Sequence, residues 1–382
     1  MRRPVALLVT LFVAFVLVWW PIAIGPFGRG GIVVLDVYSS ALYDENYAAK
    51  ITPAPRVSEE RVDLAGEDAR VTWWTPGVGG RHPGMLVVNG ASELGNDDAE
   101  TRRISEALAR AGYLVMLPEY SFLKEARLER TAPAKVDAAF AALLGRPDVD
   151  TARAGAFGFS VGGGVLFAAA SEPGSALARA RYLGALGAYF DVRTYLASVV
   201  SGTQLRAGKL EPWTPDPEAR LKLPVGAAQA LGDARDRNAV VAAIRASGGP
   251  LPAEPPAGLG DEARSLWRAL AATDYRDAED RLAALPGTLR DTFAALSPAT
   301  HWDRIGAPVF WLHDEGDRFE PVSEAERAAA TPRQGKTRLQ LTRLLSHAAA
   351  LASGARRQGL DFWARELSGL LGFAVEVLRR AG

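Results

Sequence analysis

Gly158-Phe159-Ser160-Val161-Gly162 reads Gly-x-Ser-x-Gly. An apolar run, Ala154 to Phe157, leads into it, and a small-residue run, Gly162 to Ala168, follows. That is the strand–tight turn–helix context of a nucleophile elbow. The glycines let the backbone turn sharply and let neighbouring chain pack close, so that the Ser160 hydroxyl projects above a sheet. A serine is a weak nucleophile until a base takes its proton and a third group orients that base. The chemistry in view is therefore attack on an ester or amide carbonyl to form an acyl-enzyme. The pentapeptide by itself is a weak signal, because a glycine-rich turn carrying a solvated serine satisfies it equally well.

The partners raise the odds. In hydrolases that carry this elbow, serine is followed in the chain by an acid and then by histidine. Only four histidines are present: His82, His301, His313 and His347. His82 precedes the serine. His301 has no convincing strand-end acid between it and Ser160. His313 falls in Ala307–His313, which reads as a buried strand and points to a structural or supporting role. His347 follows the strand-like Arg338–Thr342 and sits in a short loop ahead of a helix, which makes it the candidate base. For the acid, Pro308–Leu312 reads as a strand that opens into His313-Asp314-Glu315-Gly316-Asp317-Arg318-Phe319-Glu320-Pro321. Asp317, Asp314 and Glu320 are all open on the residues alone, and an ordinary acidic loop is the bland reading.

A developing oxyanion needs donors already aimed at it. One is expected from the backbone N–H of Val161, and the other from the loop after the third strand. Met85–Val88 reads as that strand and Asn89-Gly90-Ala91-Ser92 as the loop, with the Ala91 N–H as candidate and Ser92 as alternative.

Together these residues resemble the α/β-hydrolase superfamily, in its dienelactone-hydrolase and prolyl-oligopeptidase-like branch, over roughly residues 58–190 and 298–380. The resemblance implies Ser160 as nucleophile, Asp317 as acid and His347 as base. There are two departures. Members often carry His-Gly where this chain has Asn89-Gly90, and dienelactone hydrolases use a cysteine, of which this chain has none. Serine ester or amide hydrolysis is thus the expectation, rather than dienelactone hydrolysis.

The elements that must position these groups alternate between strands and helices, which implies a mostly parallel sheet covered on both faces. Two strands are expected in 58–76, joined at Ala65-Gly66, with others at 113–117, 154–159 and 182–190. An alanine-rich helix is expected over 134–144. Asp97-Asp98-Ala99-Glu100 resembles a capping box with Asp97 as cap, opening a helix to about Ala111. The proposed triad falls at carboxyl ends of strands, where such sheets bind ligands. Residues 191–297 break the rhythm, with helical spacing at 226–246, 261–272 and 276–295, and read as a helical cap over the site. Tyr195, Trp213 and Trp267 are candidates to line its pocket, although plain packing is the commoner role for such residues.

Composition excludes several classes. With 44 basic and 44 acidic residues the formal charge is zero, so no basic field attracts nucleic acid. The lack of cysteine removes disulfides and thiolate chemistry. No spaced metal-ligand set and no cofactor motif is evident. At the amino terminus, Arg2 and Arg3 precede a charge-free stretch from Pro4 to Phe27. Its core, Val5–Ile24, matches the ~20 apolar residues of a bilayer-spanning helix. The arginines place the start in the cytoplasm and the remainder outside. An uncleaved anchor is expected because a signal peptide carries an apolar core of only about 7–15 residues. Secretion after cleavage near Ala23-Ile24-Gly25 is the alternative.

The expected organisation is an anchor over 1–27, a linker with a short helical piece over 28–57, a hydrolase core over 58–190 and 298–382, and the cap between. The expected activity is that of a membrane-anchored serine hydrolase acting on a small acyl ester or amide. An acyltransferase of the same fold and a catalytically silent anchored binding protein are the competing readings. Oligomeric state leaves no mark on the sequence.

Overall fold

The computed structural model describes residues 25–43, 45–347, 352 and 355–380. Its centre is an eight-stranded sheet in the order β1-β2-β4-β3-β5-β6-β9-β10. The strands are β1 (Arg56–Leu64), β2 (Glu67–Thr75), β3 (His82–Val88), β4 (Leu114–Pro118), β5 (Val149–Phe159), β6 (Leu183–Leu186), β9 (Val309–Asp314) and β10 (Thr337–Thr342). The β1–β2 and β2–β4 pairs are antiparallel, and every pairing from β4 to β10 is parallel. A two-stranded hairpin, β7 (Thr203–Arg206) with β8 (Lys209–Pro212), stands apart.

Alternation along the strands divides the interior into two layers. Leu86, Val88, Leu114 and Met116 pack with helices Ala132–Gly145 and Val161–Ser171 through Val136, Phe140, Val165 and Phe167. Their neighbours Met85, Val87, Val115 and Leu117 face the other way, toward Leu108, Leu370 and Phe373. Both faces are apolar because both are covered, as parallel sheets require.

Several expectations need adjustment. The linker expected over 28–57 with only a short helical piece is largely taken up by a 19-residue helix, Gly25–Tyr43, which begins within the expected anchor and whose Ile32, Val33, Val34, Val37 and Tyr38 join the second apolar layer beside helix Leu360–Arg380. Tertiary burial stabilises a helix that its four glycines and several β-branched residues would not favour alone. The cap of helix Ala99–Arg110 is Asp98, whose carboxylate accepts from the Thr101 N–H, whereas Asp97 pairs with Arg70. The strand expected over 182–190 stops at Leu186, because Gly187 takes a positive φ of 58°. Within 191–297 lie six helices, from Val192–Ser201 to Gly287–Leu296. The single run expected at 226–246 is two helices, Pro217–Gln229 and Ala234–Ser247, the second capped by Asp233. The run at 276–295 is likewise broken between Ala283 and Gly287, at the Leu285-Pro286-Gly287 punctuation. Helical periodicity carries across a sharp turn, so spacing alone merged these pairs.

The membrane-spanning segment expected over Val5–Ile24 lies outside the described residues. Among the described residues, no helix is long and apolar enough to cross a membrane.

Candidate active site

Ser160 lies between the end of β5 and the start of helix Val161–Ser171, with φ 51° and ψ −132°. A side chain at positive φ costs of order 1–3 kcal/mol and persists only where its surroundings enforce it. Here the Ser160 N–H is tied to the Leu186 carbonyl at 2.8 Å, while its own carbonyl accepts from the Gly163 N–H at 2.9 Å. The glycines make the turn possible by allowing close approach. A methyl added at Gly162 would stand 2.0 Å from the Asn89 carbonyl oxygen, and one at Gly158 would stand 2.5 Å from the Gly163 Cα. The elbow expected from the pentapeptide is present in geometry as well as in sequence.

The loop after β3 abuts the elbow. A Cβ on Gly90 would fall 3.2 Å from the Ser160 Cβ. Asn89 organises this loop: its Nδ2 donates to the Gly95 carbonyl, and its Oδ1 accepts from the Thr101 hydroxyl and from the Gly90 N–H. The Gly90 donor is thereby engaged. Ala91, Ser92 and Val161 line the same cavity as Ser160. The Val161 and Gly162 N–H groups belong to the first turn of the elbow helix, where donors have no partner within the helix.

The acid turn after β9 supplies three carboxyls with three different tasks. The buried Asp317 takes the His347 Nδ1 at 2.9 Å and two backbone N–H groups, those of Phe319 and Glu320, at 2.7 and 3.1 Å. Burial alone would raise its pKa, but the charge and hydrogen bond of His347, with His313 and the Phe319 N–H behind them, hold it below the usual carboxylate range. Asp314 caps the turn instead. Its carboxylate accepts from the Gly316 N–H at 3.0 Å and from the His347 backbone, and burial lifts its pKa to about 6. That second contact steadies His347, whose φ of 49° is unusual for a residue with a side chain. Phe319 stacks on the His347 ring at 4.6 Å.

Glu320, the third acid named from sequence, sits where sequence spacing gave no reason to expect it. Fully buried, it accepts the Ser160 hydroxyl at 2.7 Å through Oε1, and its Oε2 lies 3.2 Å from the His347 Nδ1. The single proton of Ser160 is therefore directed to Glu320 in this structure, while His347 is held by Asp317. The four side chains Ser160, His347, Asp317 and Glu320 thus converge, with the serine and the imidazole bridged by a carboxylate. Burial raises Glu320 to about 7, with the Asp317 charge adding to the effect and His347 and Ser160 opposing it. His347 responds in the opposite sense. Burial would lower its pKa, but Asp317 and Glu320 outweigh that and bring it to about 9.

The other histidines fall where the chain order implied. His82 begins β3, and His301 lies between two short 3-10 turns at 298–304. His313 is fully buried behind the acid turn, with Nε2 3.0 Å from the Glu320 carbonyl oxygen, and burial keeps its pKa low.

The cavity in front of Ser160 measures about 490 Å³. Phe122, Leu128, Phe159, Leu223 and Phe319 form much of its apolar wall, and Glu93, Asp98, Glu218 and Lys222 stand among its polar residues. Tyr195 and Leu223 reach it from the inserted helices. Of the three aromatic candidates, Tyr195 lines the cavity. Trp213 donates its indole N–H to the Asp317 carbonyl at 2.7 Å, and Trp267 donates to the Pro252 carbonyl within the insert. Two more bonds join the same segments: the Asp216 N–H donates to the Arg318 carbonyl at 2.6 Å, and the Arg318 Nε donates to the Thr214 carbonyl at 3.2 Å.

Asp317, Glu320 and His347 also present one ligand atom each within 4.8 Å of one another. The bonds already described hold the three together: His347 to Asp317, and Glu320 through its N–H to Asp317 and through its carboxylate to Ser160.

No family model and no curated protein matches the sequence. Solved structures do match in shape. An acylaminoacyl peptidase from Pyrococcus horikoshii is 12% identical with a TM-score of 0.49, over 86% of this chain and 42% of that one. A dienelactone hydrolase from Anabaena variabilis is 14% identical with a TM-score of 0.43, over 85% of this chain and 96% of that one. A 2,6-dihydroxy-pseudo-oxynicotine hydrolase is 13% identical with a TM-score of 0.47, over 92% and 81%. This chain spans less than half the length of the acylaminoacyl peptidases it matches. The sheet order, the parallel strands and the strand–elbow–helix unit give this chain an α/β-hydrolase-like fold.

Proposed function

We propose that this protein is a serine hydrolase that cleaves a small carboxylic ester, or an amide, through an acyl-enzyme. The observation that carries the reading is the strained Ser160 at the mouth of an apolar cavity beside an imidazole held by a buried carboxylate. In the working cycle Ser160 Oγ forms a bond to the carbonyl carbon as its proton passes to His347 Nε2. With Nδ1 facing carboxylates, the neutral ring carries its hydrogen on Nδ1 and leaves Nε2 free to accept. The carbonyl oxygen, now negative, is received by the N–H groups of Val161 and Ala91. His347 returns the proton to the leaving alcohol or amine as the tetrahedral centre collapses. Water, deprotonated by the same imidazole, then releases the acid and restores Ser160. Asp317 orients the ring and balances its charge throughout.

A fluorophosphonate probe tests this directly. Wild-type protein is expected to be labelled and Ser160→Ala to stay unlabelled, and equal labelling of both would remove Ser160 from the mechanism.

The proposal includes anchoring through residues 4–24, with the catalytic part outside the cytoplasm. It rests on Arg2, Arg3 and the charge-free run behind them. Full-length protein expressed in its host should remain in the membrane pellet after alkaline carbonate washing. Complete release into the supernatant would sink the anchor.

A further inference from the structure

The mechanism above uses two ionisable partners for Ser160, yet three converge there. Glu320 is wholly buried and touches nucleophile and base at once, at 2.7 Å from Ser160 Oγ and 3.2 Å from His347 Nδ1. An orienting acid has no need to hold the serine hydroxyl, and a carboxylate serving only the fold would not need to meet the imidazole.

We infer that Glu320 is a positioning residue that restrains the resting site: its carboxylate holds the Ser160 hydroxyl and stabilises the protonated ring of His347, so that hydrolysis is confined to the alkaline side of neutrality. The inference rests on the triad reading above and adds a regulator to it.

Ser160 has one proton to donate, and while Glu320 accepts it the hydroxyl is not presented to Nε2. His347 must also be neutral to act as base, and two carboxylates beside Nδ1 favour the imidazolium, with the charge of Asp314, at the end of β9, adding in the same direction. The remaining groups around Glu320 do not cancel this. Asp317 lies on the same turn and adds negative charge. His313, from β9, has its pKa lowered by burial, and its Nε2 meets the Glu320 backbone carbonyl and stands 3.8 Å from Asp317 Oδ2 rather than facing the Glu320 carboxylate. Tyr195, from helix Val192–Ser201, hydrogen-bonds Glu320 and favours its ionised form, while Tyr189, after β6, lies nearby; both phenols have pKa values raised by burial and bring no charge. His347 is thus the only cation that faces the carboxylate among the described residues. The direction agrees with an imidazole raised to about 9 and a glutamate raised to about 7.

Sign follows from the catalytic form. The rate rises as His347 loses its proton, so the acid limb of kcat/KM tracks the His347 pKa. Glu320→Gln keeps the size and the acceptor for Ser160 but removes one charge that holds the imidazolium. The limb must then move to lower pH.

The test is the pH dependence, from 5.5 to 10, of fluorophosphonate labelling and of p-nitrophenyl ester hydrolysis. The wild-type limb is expected near pH 9. Glu320→Gln is expected to shift it down by about one unit, so that at pH 7 the variant is labelled about tenfold faster than wild type. A wild-type limb near the ordinary imidazole value overturns the inference without any variant. So does a Glu320→Gln profile that superimposes on wild type, or one lowered equally at every pH, as a merely structural role would give. Absence of labelling in wild type at every pH removes the triad reading itself, whereas labelling with an unshifted limb removes only the role of Glu320.

Discussion

Replacing Asp317 by asparagine is expected to lower kcat for ester hydrolysis by about 10³–10⁴-fold, with little change in thermal stability. The asparagine carbonyl can still accept the Phe319 and Glu320 N–H groups, so the turn survives. What changes is the atom that faces the imidazole. An amide NH₂ in place of Asp317 Oδ2 demands an acceptor at Nδ1, which moves the ring hydrogen to Nε2 and leaves no base for Ser160. Glu320 makes the experiment sharper, because its Oε2 lies only 0.3 Å farther from Nδ1 than Asp317 Oδ2 does, at 3.2 against 2.9 Å. A loss below tenfold would mean that Glu320 takes over the orienting task and would strip Asp317 of its assigned role. Steady-state kinetics alongside a thermal melt separates the two outcomes.

Gly162→Ala is expected to be the most damaging small substitution in the elbow. The added methyl would sit 2.0 Å from the Asn89 carbonyl oxygen, well inside any tolerated contact. Because that oxygen belongs to the backbone, no rotamer change relieves the clash. Either the elbow helix or the loop after β3 must retreat, at a cost of about 3 kcal/mol. The same movement draws the Val161 and Ala91 N–H groups apart, so kcat should collapse even in protein that remains folded. A variant with wild-type melting temperature and wild-type kcat would show that the loop gives way freely and that the two donors do not act together. Gly112→Ala is a fair control. Its φ of 94° strains any side chain, yet an added Cβ there meets nothing within 4 Å, so it reports the cost of backbone strain without a clash, whereas Gly162 has no positive φ and reports the clash alone.

How much of this was legible beforehand varied by the kind of signal. The elbow announced itself because glycine on both sides of a serine is a steric requirement, and steric requirements leave a local mark. The strands at Met85–Val88 and 113–117 were readable because burial on both faces makes an uninterrupted apolar run. His347 emerged by elimination, which was open only because histidine is scarce here. Helix Gly25–Tyr43 was underestimated because its stability comes from Leu360–Arg380, more than 300 residues away in the chain. The choice among Asp314, Asp317 and Glu320 stayed open because a tight turn sends neighbouring side chains in directions that spacing does not encode. Glu320 shows the limit most clearly: 160 residues separate it from Ser160, and nothing near either residue foretells their contact.

The bonds between residues 213–216 and 317–318 have a mechanical corollary. The inserted helices, which roof the cavity through Tyr195 and Leu223, and the turn that carries Asp317 are clamped together, so lifting that roof to admit a bulky molecule would tug on the aspartate bonded to His347. Under the proposed mechanism, entry and readiness to react would be geared to one another. A transplanted roof from another enzyme would have to bring its own clamp, or it would arrive with a detuned base.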